Sequence, residues 1–297
     1  MIQHSKKKSS KIFKNELALM TAKIEETLER LLQECKGDEE LLRAMKYMLI
    51  GGGKRLRPIL FLKAFSIFNL VDNRALEFAA AIEILHTYTL VHDDLPCMDD
   101  DNFRRGKPTC HKAFSEHLAV LCGDALLNLA HEIILKHCGD SNFLKAAQFV
   151  SSLTGAGALI SGQVKDMRCQ AENLEELLKI FEQKTGSLIL AAVYSGALCA
   201  GANSNQLQSI NDFGKNFGLA FQIYDDIDEY INDGKINEPA SITAFLSVEE
   251  SIKILQESIE KAKQSLDGLT LQAEKIESQG VLFLQELVTL FAQNANC

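Results

Sequence analysis

Apolar side chains recur along most of the chain at the three- and four-residue spacing of an α-helix. One such stripe consists of Leu17, Met20, Ile24, Leu28 and Leu31, and a second consists of Ile252, Leu255, Ile259, Ala262 and Leu266. No stretch of comparable length alternates with the two-residue period of a strand, and the chain has only 4 prolines. Because this spacing puts apolar side chains on one helix face, it predicts an all-α protein, a bundle of about ten helices.

Glycine, proline and polar residues interrupt this pattern at six places. These residue types favour turns or end helices, so we expect connections at residues 51–54, 96–109, 138–141, 155–162, 202–206 and 233–241. At 297 residues and 46% apolar composition the chain can bury a large core, and no linker interrupts it. The expected organisation is one domain over residues 16–297, after a disordered basic tail at residues 1–15 that lacks the apolar run of a secretory signal.

Composition narrows the classes of partner and the compartment. The formal net charge of −9 argues against nucleic acid or an anionic membrane as the main partner. The eight cysteines show no C-x-x-C pair, which indicates reduced thiols and a cytoplasmic protein. The seven histidines have no metal-ligand spacing, so zinc is not expected. The longest weakly polar run, Leu188–Ala202, is too short to cross a bilayer, so no membrane span is expected.

The densest cluster of charged residues is the stretch LVHDDLPCMDDDNFRRGKPT, residues 90–109. It places five aspartates beside two arginines and a lysine, directly after the apolar run at residues 79–90. Carboxylates this close resist ionising together unless they face water or a cation. Mg²⁺ suits such a place, since it binds one or two carboxylates together with substrate phosphate oxygens. The alternative is a solvated acidic loop.

The spacing inside this stretch also predicts its shape. Asp93 and Asp99 are six residues apart, which on a regular helix separates them by roughly 120°. Pro96 lies between them and cannot continue a helix, because it lacks an N–H and clashes with the preceding turn. We therefore expect a helix that ends near Leu95 and a loop that returns Asp99 toward Asp93.

A second acidic motif, FQIYDDIDEY, occupies residues 221–230. Asp225 and Glu229 stand at i and i+4, so they project from one helix face, about 40° apart. Apolar residues precede this aspartate pair as they precede the first. Two such motifs predict two walls of a metal-binding pocket with an apolar interior.

Basic and hydroxyl residues supply candidate ligands for an anion and for a cationic intermediate. In GGGKRLRP, residues 51–58, glycines allow close backbone approach, and Lys54, Arg55 and Arg57 bring positive charge. The alternative is a flexible connection with an exposed basic face. Farther on, Lys184, Thr185 and Gly186 interrupt an apolar helix, where a hydroxyl and a freed carbonyl could face a cation. The alternative there is a kink with a snorkelling lysine. Gln163 and Asp166 are candidate polar groups at the pocket mouth.

In combination, these motifs resemble those of the trans-prenyltransferases, the short-chain polyprenyl diphosphate synthases. The resemblance runs from about Glu39 to Tyr230 and consists, in family order, of GGGKRLRP, HTYTLVHDDLPCMDDDNFRRGKPT, GDAL, GQVKD, KTG and FQIYDD. It implies an all-α homodimer of the isoprenoid synthase type, with a central apolar cavity. The implied reaction joins dimethylallyl or geranyl diphosphate to isopentenyl diphosphate and releases diphosphate.

The resemblance also implies roles for individual residues. Three Mg²⁺ ions would be held by Asp93, Asp94, Asp99, Asp225, Asp226 and Glu229. Isopentenyl diphosphate would be bound by Lys54, Arg57, His86 and Arg105. The allylic diphosphate would be held by Arg104 and Lys184, while Thr185 and Gln222 would steady the cation.

The expected product is farnesyl diphosphate, with 15 carbons. In the family, an aromatic residue five positions before the first aspartate, together with a four-residue gap in DDxxxxD, goes with this product, and Tyr88 stands at that position. The alternatives are a geranylgeranyl diphosphate synthase, a terpene cyclase, which would need only one diphosphate pocket, and a non-catalytic regulatory subunit. The last is motivated by a shortened segment after Tyr230, in which the contact of Lys235 with a diphosphate stays open.

Overall fold

A computed structural model of the chain describes residues 2–50, 52–169, 171–233, 240–270 and 278–294, with side chains from Phe13 onward. It divides into two compact units, Met1–Leu62 with Val71–Asp140, and Lys63–Leu70 with Ser141–Cys297. Each unit is described by itself.

The first unit holds five helices and a short two-stranded ribbon among the described residues, and it shares a sixth helix, α3, with the second unit. In chain order, its elements are α1 (Ile2–Glu34), α2 (Glu39–Leu49), the start of α3 (Leu56–Phe68), α4 (Asn73–Asp93), β1 (Phe103–Arg104), β2 (Lys107–Pro108), α5 (Cys110–Ala113) and α6 (Glu116–Lys136).

The second unit holds the remaining helices. They are α7 (Ser141–Thr154), α8 (Leu159–Met167), α9 (Leu174–Phe181), a π-helical turn (Glu182–Gly186), α10 (Ser187–Cys199), α11 (Ser204–Asp233), a 3₁₀ turn (Ile242–Ala244), α12 (Val248–Thr270) and α13 (Ser278–Asn294).

The prediction of an all-α protein is confirmed. If α9, the π turn and α10 count as one helix and the single-turn α5 is left out, the described residues hold eleven helices, close to the ten expected. Five of the predicted connections begin at the ends of α2, α4, α6, α7 and α10, and the one at 155–162 is shorter than expected because α8 begins at Leu159. Of the sixth, at 233–241, residues 234–239 lie outside the described residues. In the part of the chain that the structure describes, connections before α2, α4 and α9 were not predicted.

Two predictions about domain organisation are not tested by the structure. Helix α1 begins at Ile2, so the backbone of the predicted tail is helical from that residue on. Disorder of residues 1–15 in solution stays a prediction, and so does a single domain over residues 16–297.

Helix α4 forms the centre of the first unit. Its side chains are buried on every face, and Phe78, Ala79, Ala80, Ala81 and Ile82 are all inaccessible to solvent. A helix that is apolar all round must be covered by neighbours, and α1, α2 and α6 supply this cover. The carboxylate of Asp72 caps its N-terminus by accepting a 2.9 Å hydrogen bond from the Ala75 amide. The core of this unit therefore fixes the position of α4, and with it the position of the acidic motif that follows.

One buried carboxylate ties three helices of this unit together. Glu77 of α4 accepts hydrogen bonds from Arg30 Nη2 of α1 at 2.8 Å, from Lys136 Nζ at the end of α6 at 3.0 Å, and from His137 Nε2 at 2.9 Å. Burial alone would raise the pKa of Glu77, but these hydrogen bonds outweigh it and lower the pKa to about 2.

In the second unit, glycines let α11 pack closely on its neighbours. A Cβ at Gly218 would lie 2.9 Å from the Cα of Gly186, and one at Gly214 would lie 2.7 Å from Val193. Helix α10 is almost entirely buried, and α12 packs along α11. Only glycine permits this separation, so α11 is held against α10 and the π turn directly before the second acidic motif.

Two stretches of the described residues are long and apolar enough to cross a bilayer by length and composition alone, Glu116–Lys136 and Ser141–Met167. Helices that pack in the core of a folded unit meet the same criterion, and α6 does so with Leu118, Leu126 and Ile134 buried. The absence of a membrane span stays a prediction.

We expect Glu77→Gln to destabilise the protein by about 1–3 kcal/mol at pH 7 and by much less at pH 3. A carboxylate whose pKa is lowered on folding stabilises the native state above its ordinary pKa of 4.5, and this contribution is lost as pH falls toward 2. Urea unfolding of both proteins at several pH values measures the difference. A difference that does not change with pH would contradict the assignment.

Candidate active site

The first acidic motif lies where α4 ends. The helix stops at Asp93, two residues before the predicted end at Leu95 and three before Pro96. The Asp99 amide then donates a 2.9 Å hydrogen bond to the Asp93 carbonyl, and the Asp100 amide donates to the Leu95 carbonyl at 3.1 Å. The predicted loop that returns Asp99 toward Asp93 is confirmed.

Asp94 is the buried member of this motif. Its Oδ1 accepts hydrogen bonds from Nε of Arg104 at 2.8 Å and from Nη2 at 2.6 Å, and Arg104 also donates to Asp101 at 2.7 Å. Burial raises the pKa of Asp94, against the lowering effect of Arg104. The second oxygen, Oδ2, is buried and has no hydrogen-bond partner among the described residues.

The ribbon β1–β2 directs the two consecutive arginines to different partners. Phe103 pairs with Pro108 and Arg104 with Lys107. The two turn residues, Arg105 and Gly106, have positive φ of 54° and 74°, as a two-residue hairpin turn requires. Arg104 then reaches Asp94, while Arg105 donates to the Gly52 carbonyl. The sequence analysis did not predict this ribbon.

Arg55 of the basic motif is part of the fold. It is 1% exposed and donates to Glu25 at 2.6 Å, to Glu83 at 2.8 Å and to the Leu49 carbonyl at 2.6 Å. The alternative of a wholly exposed basic face is therefore wrong for this residue, whereas Lys54 is exposed. Gly51 lies outside the described residues.

Positive charge is concentrated around His86 on α4. Arg57 Nη1 lies 3.1 Å from His86 Nε2. Burial lowers the pKa of His86 well below its usual value, and the guanidinium groups of Arg57, Arg105, Arg55 and Arg104 lower it further. The pKa of Arg105 is also lowered, first by burial and also by Arg55 and Arg104. A polyanion bound here would relieve this repulsion.

Gly53 has a different role from the one expected of a phosphate-binding glycine. It adopts a φ of 126°, and a Cβ at this position would lie 2.7 Å from the guanidinium carbon of Arg105. The glycine therefore makes room for the Arg105 side chain. Gly53 therefore contributes to an anion site by leaving space for Arg105.

Tyr88 and His92 form a contact one turn apart on α4. Tyr88 is buried, and burial together with the nearby Asp93 raises its pKa to about 12. Its hydroxyl has no hydrogen-bond partner in the described part of the chain. The His92 ring stands edge-on to it with the centroids 6.0 Å apart, and His92 Nε2 lies 3.1 Å from the Val120 carbonyl.

Gly123 is the residue that admits His92. A Cβ at Gly123 would lie 2.0 Å from His92 Nε2, so the imidazole occupies the space of the missing side chain. The motif GDAL begins with this glycine, but its contact with His92 was not predictable from spacing. Gly123 therefore admits the His92 ring that packs edge-on against Tyr88.

In the second unit, α11 carries the second acidic motif. Asp225 is half-buried and Glu229 is exposed, but Asp226 is only 7% exposed. Asp226 Oδ2 accepts a hydrogen bond from the Ile242 amide at 2.8 Å, and Oδ1 accepts from Gln222 Nε2 at 2.8 Å. Burial raises the pKa of Asp226 to about 6.

The predicted interruption near Lys184 is a π-helical turn, Glu182–Gly186. Thr185 Oγ1 donates to Gln222 Oε1, and Lys184 Nζ donates to Asp166 Oδ2. A Cβ at Gly162 of α8 would lie 2.4 Å from the Lys184 amide nitrogen, so α8 touches this turn. Such turns in helices are common at functional sites.

Gln163 and Asp166, the predicted polar residues at the pocket mouth, lie on α8, which contacts the π turn. Gln163 has a buried Nε2 without a hydrogen-bond partner in the described ranges, whereas Asp166 is engaged with Lys184. Lys235 lies outside the described residues, so nothing tests its contact with a diphosphate.

The first motif suits Mg²⁺ by its donor set. The buried Asp94 Oδ2 has no hydrogen-bond partner among the described residues, and the loop brings the backbone of Asp99 back to that of Asp93. Carboxylate oxygen is the ligand that Mg²⁺ prefers. No three His, Cys, Asp or Glu side chains of the described residues converge on one point as a complete metal site. Mg²⁺ usually takes only one or two carboxylates and completes its shell with water and phosphate oxygens, so the donors present fit that pattern.

Comparison with known proteins decides the family. A family model described as polyprenyl synthetase matches residues 38–263. This chain belongs to the polyprenyl synthetase family. It is 35% identical over 282 residues to a farnesyl diphosphate synthase of Bacillus subtilis, covering 88% of this chain and 95% of that one. It is 41% identical over 240 residues to a geranylgeranyl diphosphate synthase of Cyanophora paradoxa, covering 75% and 80%.

A solved structure agrees with this family in fold. The crystal structure of a geranyltransferase from Legionella pneumophila superposes with a TM-score of 0.86 at 30% identity, covering 97% of this chain and 100% of that one. The resemblance found in the sequence motifs, the isoprenoid synthase fold and the prediction of a prenyltransferase are confirmed.

We expect Gly123→Ala to lower the free energy of unfolding by about 1–3 kcal/mol, because the new methyl group displaces the His92 ring from its contacts. Gly139→Ala is the matched control, since a Cβ there meets nothing within 4 Å, and its effect should stay within about 1 kcal/mol. Urea unfolding followed by circular dichroism measures both. Equal effects of the two substitutions would show that His92 does not depend on Gly123.

Proposed function

We propose that this polyprenyl diphosphate synthase is Mg²⁺-dependent and condenses isopentenyl diphosphate with dimethylallyl or geranyl diphosphate to give farnesyl diphosphate. The observation that carries this proposal lies within the first unit. There, the loop that follows the C-terminal end of α4 contains a buried carboxylate oxygen without a hydrogen-bond partner among the described residues. A cluster of guanidinium groups surrounds His86 of the same helix. One feature requires a cation and the other favours a polyanion.

The metal ligands proposed are the carboxylates of the two acidic motifs, Asp93, Asp94, Asp99, Asp225 and Glu229. Bound Mg²⁺ would neutralise the negative charge that develops on the departing diphosphate. Asp226 belongs to the set implied by the family resemblance, and its contacts are considered separately below. The number of ions, three by resemblance, is part of this proposal.

The diphosphate groups would be bound by the basic side chains. Lys54, Arg57, His86 and Arg105 are proposed to bind isopentenyl diphosphate, because several guanidinium groups lie close enough to His86 to lower its pKa, and a polyanion would be attracted to such a cluster. Arg104 and Lys184 are proposed for the allylic diphosphate. Both already pair with aspartates, Asp94 and Asp166, so each side chain is held in place before a substrate arrives.

In the proposed reaction, the C–O bond of the allylic diphosphate breaks and its electron pair leaves with the diphosphate. The double bond of isopentenyl diphosphate supplies two electrons for the new C–C bond, and a proton leaves the neighbouring carbon. Thr185 and Gln222 would face the allylic cation with oxygen atoms, whose partial negative charge stabilises it. Exclusion of water prevents capture of that cation.

Product length is the finer part of the proposal. The buried Tyr88 ring, held by His92, would limit the chain that fits, which favours 15 carbons. A product of 20 carbons is the second candidate, because relatives named geranylgeranyl diphosphate synthase are also found. A homodimer and a cytoplasmic location stay predictions of the sequence analysis.

The reaction class is tested by incubating the pure protein with dimethylallyl diphosphate, isopentenyl diphosphate and Mg²⁺. We expect diphosphate release only when both substrates and the metal are present, and none after EDTA. Release from the allylic substrate alone would indicate a terpene cyclase. No release under any condition would indicate a non-catalytic subunit.

We expect Tyr88→Ala to shift the product from 15 toward 20 or more carbons, because removal of the ring deepens the space below the reacting carbon. Tyr88→Phe is the matched control. It keeps the ring and removes only a hydroxyl that has no partner among the described residues, so its product should be unchanged. Chromatography of the dephosphorylated products distinguishes them. An unchanged product distribution in Tyr88→Ala would count against Tyr88 as the limit.

A further inference from the structure

Asp226 differs in its surroundings from the other carboxylates of its motif. Asp225 and Glu229 are half-buried and exposed, whereas Asp226 is 7% exposed. One residue apart on a helix, Asp225 and Asp226 point about 100° away from each other, while Asp225 and Glu229 share one face. Asp226 is therefore the member of this motif that faces the protein interior.

Both oxygens of Asp226 already accept hydrogen bonds from the protein. Oδ2 accepts from the Ile242 amide at 2.8 Å, Oδ1 accepts from Gln222 Nε2 at 2.8 Å, and the Ser241 side chain is a further partner. Each oxygen keeps a second lone pair. However, Mg²⁺ gives up its water reluctantly, and protein donors already satisfy both oxygens of Asp226, whereas Asp94 has a buried Oδ2 with no hydrogen-bond partner among the described residues.

The contact with Gln222 sets which way its amide group faces. A carboxylate can only accept, so Nε2 of Gln222 must face Asp226 and Oε1 must face the other way. There, Oε1 accepts the hydrogen bond of the Thr185 hydroxyl in the π turn. Asp226 thereby decides that Gln222 presents an oxygen, and not an NH₂ group, toward the π turn.

The contact with Ile242 attaches the chain after α11 to that helix. The Ile242 amide begins the 3₁₀ turn Ile242–Ala244, and Ser241 caps the turn by accepting from the Thr243 amide. The bond between Asp226 and Ile242 is fully buried. Its loss would leave a buried N–H unsatisfied, which is costly.

We propose that Asp226 is a positioning residue and not a metal ligand: it orients the Gln222 amide toward Thr185 and anchors the turn at residues 241–244 to α11. Its effect on the reaction rests on the proposed function, in which Thr185 and Gln222 face the allylic cation. The metal-binding members of the motif are then Asp225 and Glu229.

The two roles are separated by comparing Asp226→Asn with Asp225→Asn. Mg²⁺ binding is measured by calorimetry in the presence of inorganic pyrophosphate, which needs no turnover. We expect Asp225→Asn to weaken Mg²⁺ binding about tenfold or more, and Asp226→Asn to change it less than about twofold. An equal loss in both variants would overturn the proposal, because it would make Asp226 a ligand.

The anchoring role is measured by hydrogen exchange of the peptide that contains Ile242, with no metal or substrate added. Asp226→Asn keeps an oxygen for the Ile242 amide, so its exchange should stay slow. Asp226→Ala removes the acceptor, and exchange of that peptide should accelerate at least tenfold while a peptide from α10 stays protected. Unchanged exchange in Asp226→Ala would also overturn the proposal.

The rate of reaction gives a third observation. In Asp226→Asn the oxygen of the new amide stays with Ile242 and its NH₂ group faces Gln222, which must then turn its own amide group around. We therefore expect kcat to fall while the Mg²⁺ affinity is kept. A kcat equal to that of the unsubstituted protein would refute the orienting role. If the unsubstituted protein proves inactive with both substrates, the proposed function fails, while the binding and exchange measurements still decide the role of Asp226.

Discussion

The first unit depends on two carboxylates, Asp93 and Asp94, that lie at the C-terminal end of a helix, where negative charge is unfavourable. The C-terminus of a helix carries partial negative charge and favours cations, yet α4 ends with Asp93 and is capped by Asp94. Asp94 is also removed from water. Such an arrangement persists only if positive charge is brought to it. Most of the irregular chain that follows serves this requirement.

The loop and ribbon after α4 return Arg104 to the carboxylate ten residues before it. The ribbon is too short to be stable by itself, and other contacts hold it. The Thr109 hydroxyl donates to the Asp101 carbonyl at 2.8 Å, and the Tyr47 hydroxyl donates to the Pro108 carbonyl at 2.8 Å. A segment that resembles a solvated acidic loop in the sequence is thus held by these hydrogen bonds and by the pair of Arg104 with Asp94.

Much of this was predictable, because local rules decide helix ends. Pro96 and the run of small and polar residues after it mark the end of α4, and the glycines before Lys54 mark the end of α2. The sequence could not show which basic residues are already neutralised. Arg55 and Arg57 look alike in GGGKRLRP, but Arg55 is bound by two glutamates that are distant in sequence, Glu25 and Glu83.

The role of individual glycines could not be predicted from the sequence either, because it depends on which side chain packs against each of them. Gly53 admits Arg105, and Gly123 admits His92; neither partner is near in sequence. The acidic motif on α11 shows the same limit, since spacing put Asp225 and Glu229 on one face but could not reveal that Asp226 meets the Ile242 amide. Contacts across long sequence separations are set by packing, which no local pattern encodes.

The π turn between α9 and α10 has a consequence for the length of this segment. A π turn accommodates one residue more than an α-helical turn, so deletion of a single residue from 182–186 would restore ordinary helical winding. Because the π turn absorbs its extra residue locally, α9 and α10 would keep nearly the same faces toward their neighbours after this deletion. The change would be confined to the turn itself, where the wider winding that carries the contact between Thr185 and Gln222 would be lost. Loss of one codon here would therefore act on the side chains of the turn and not on the packing of α10.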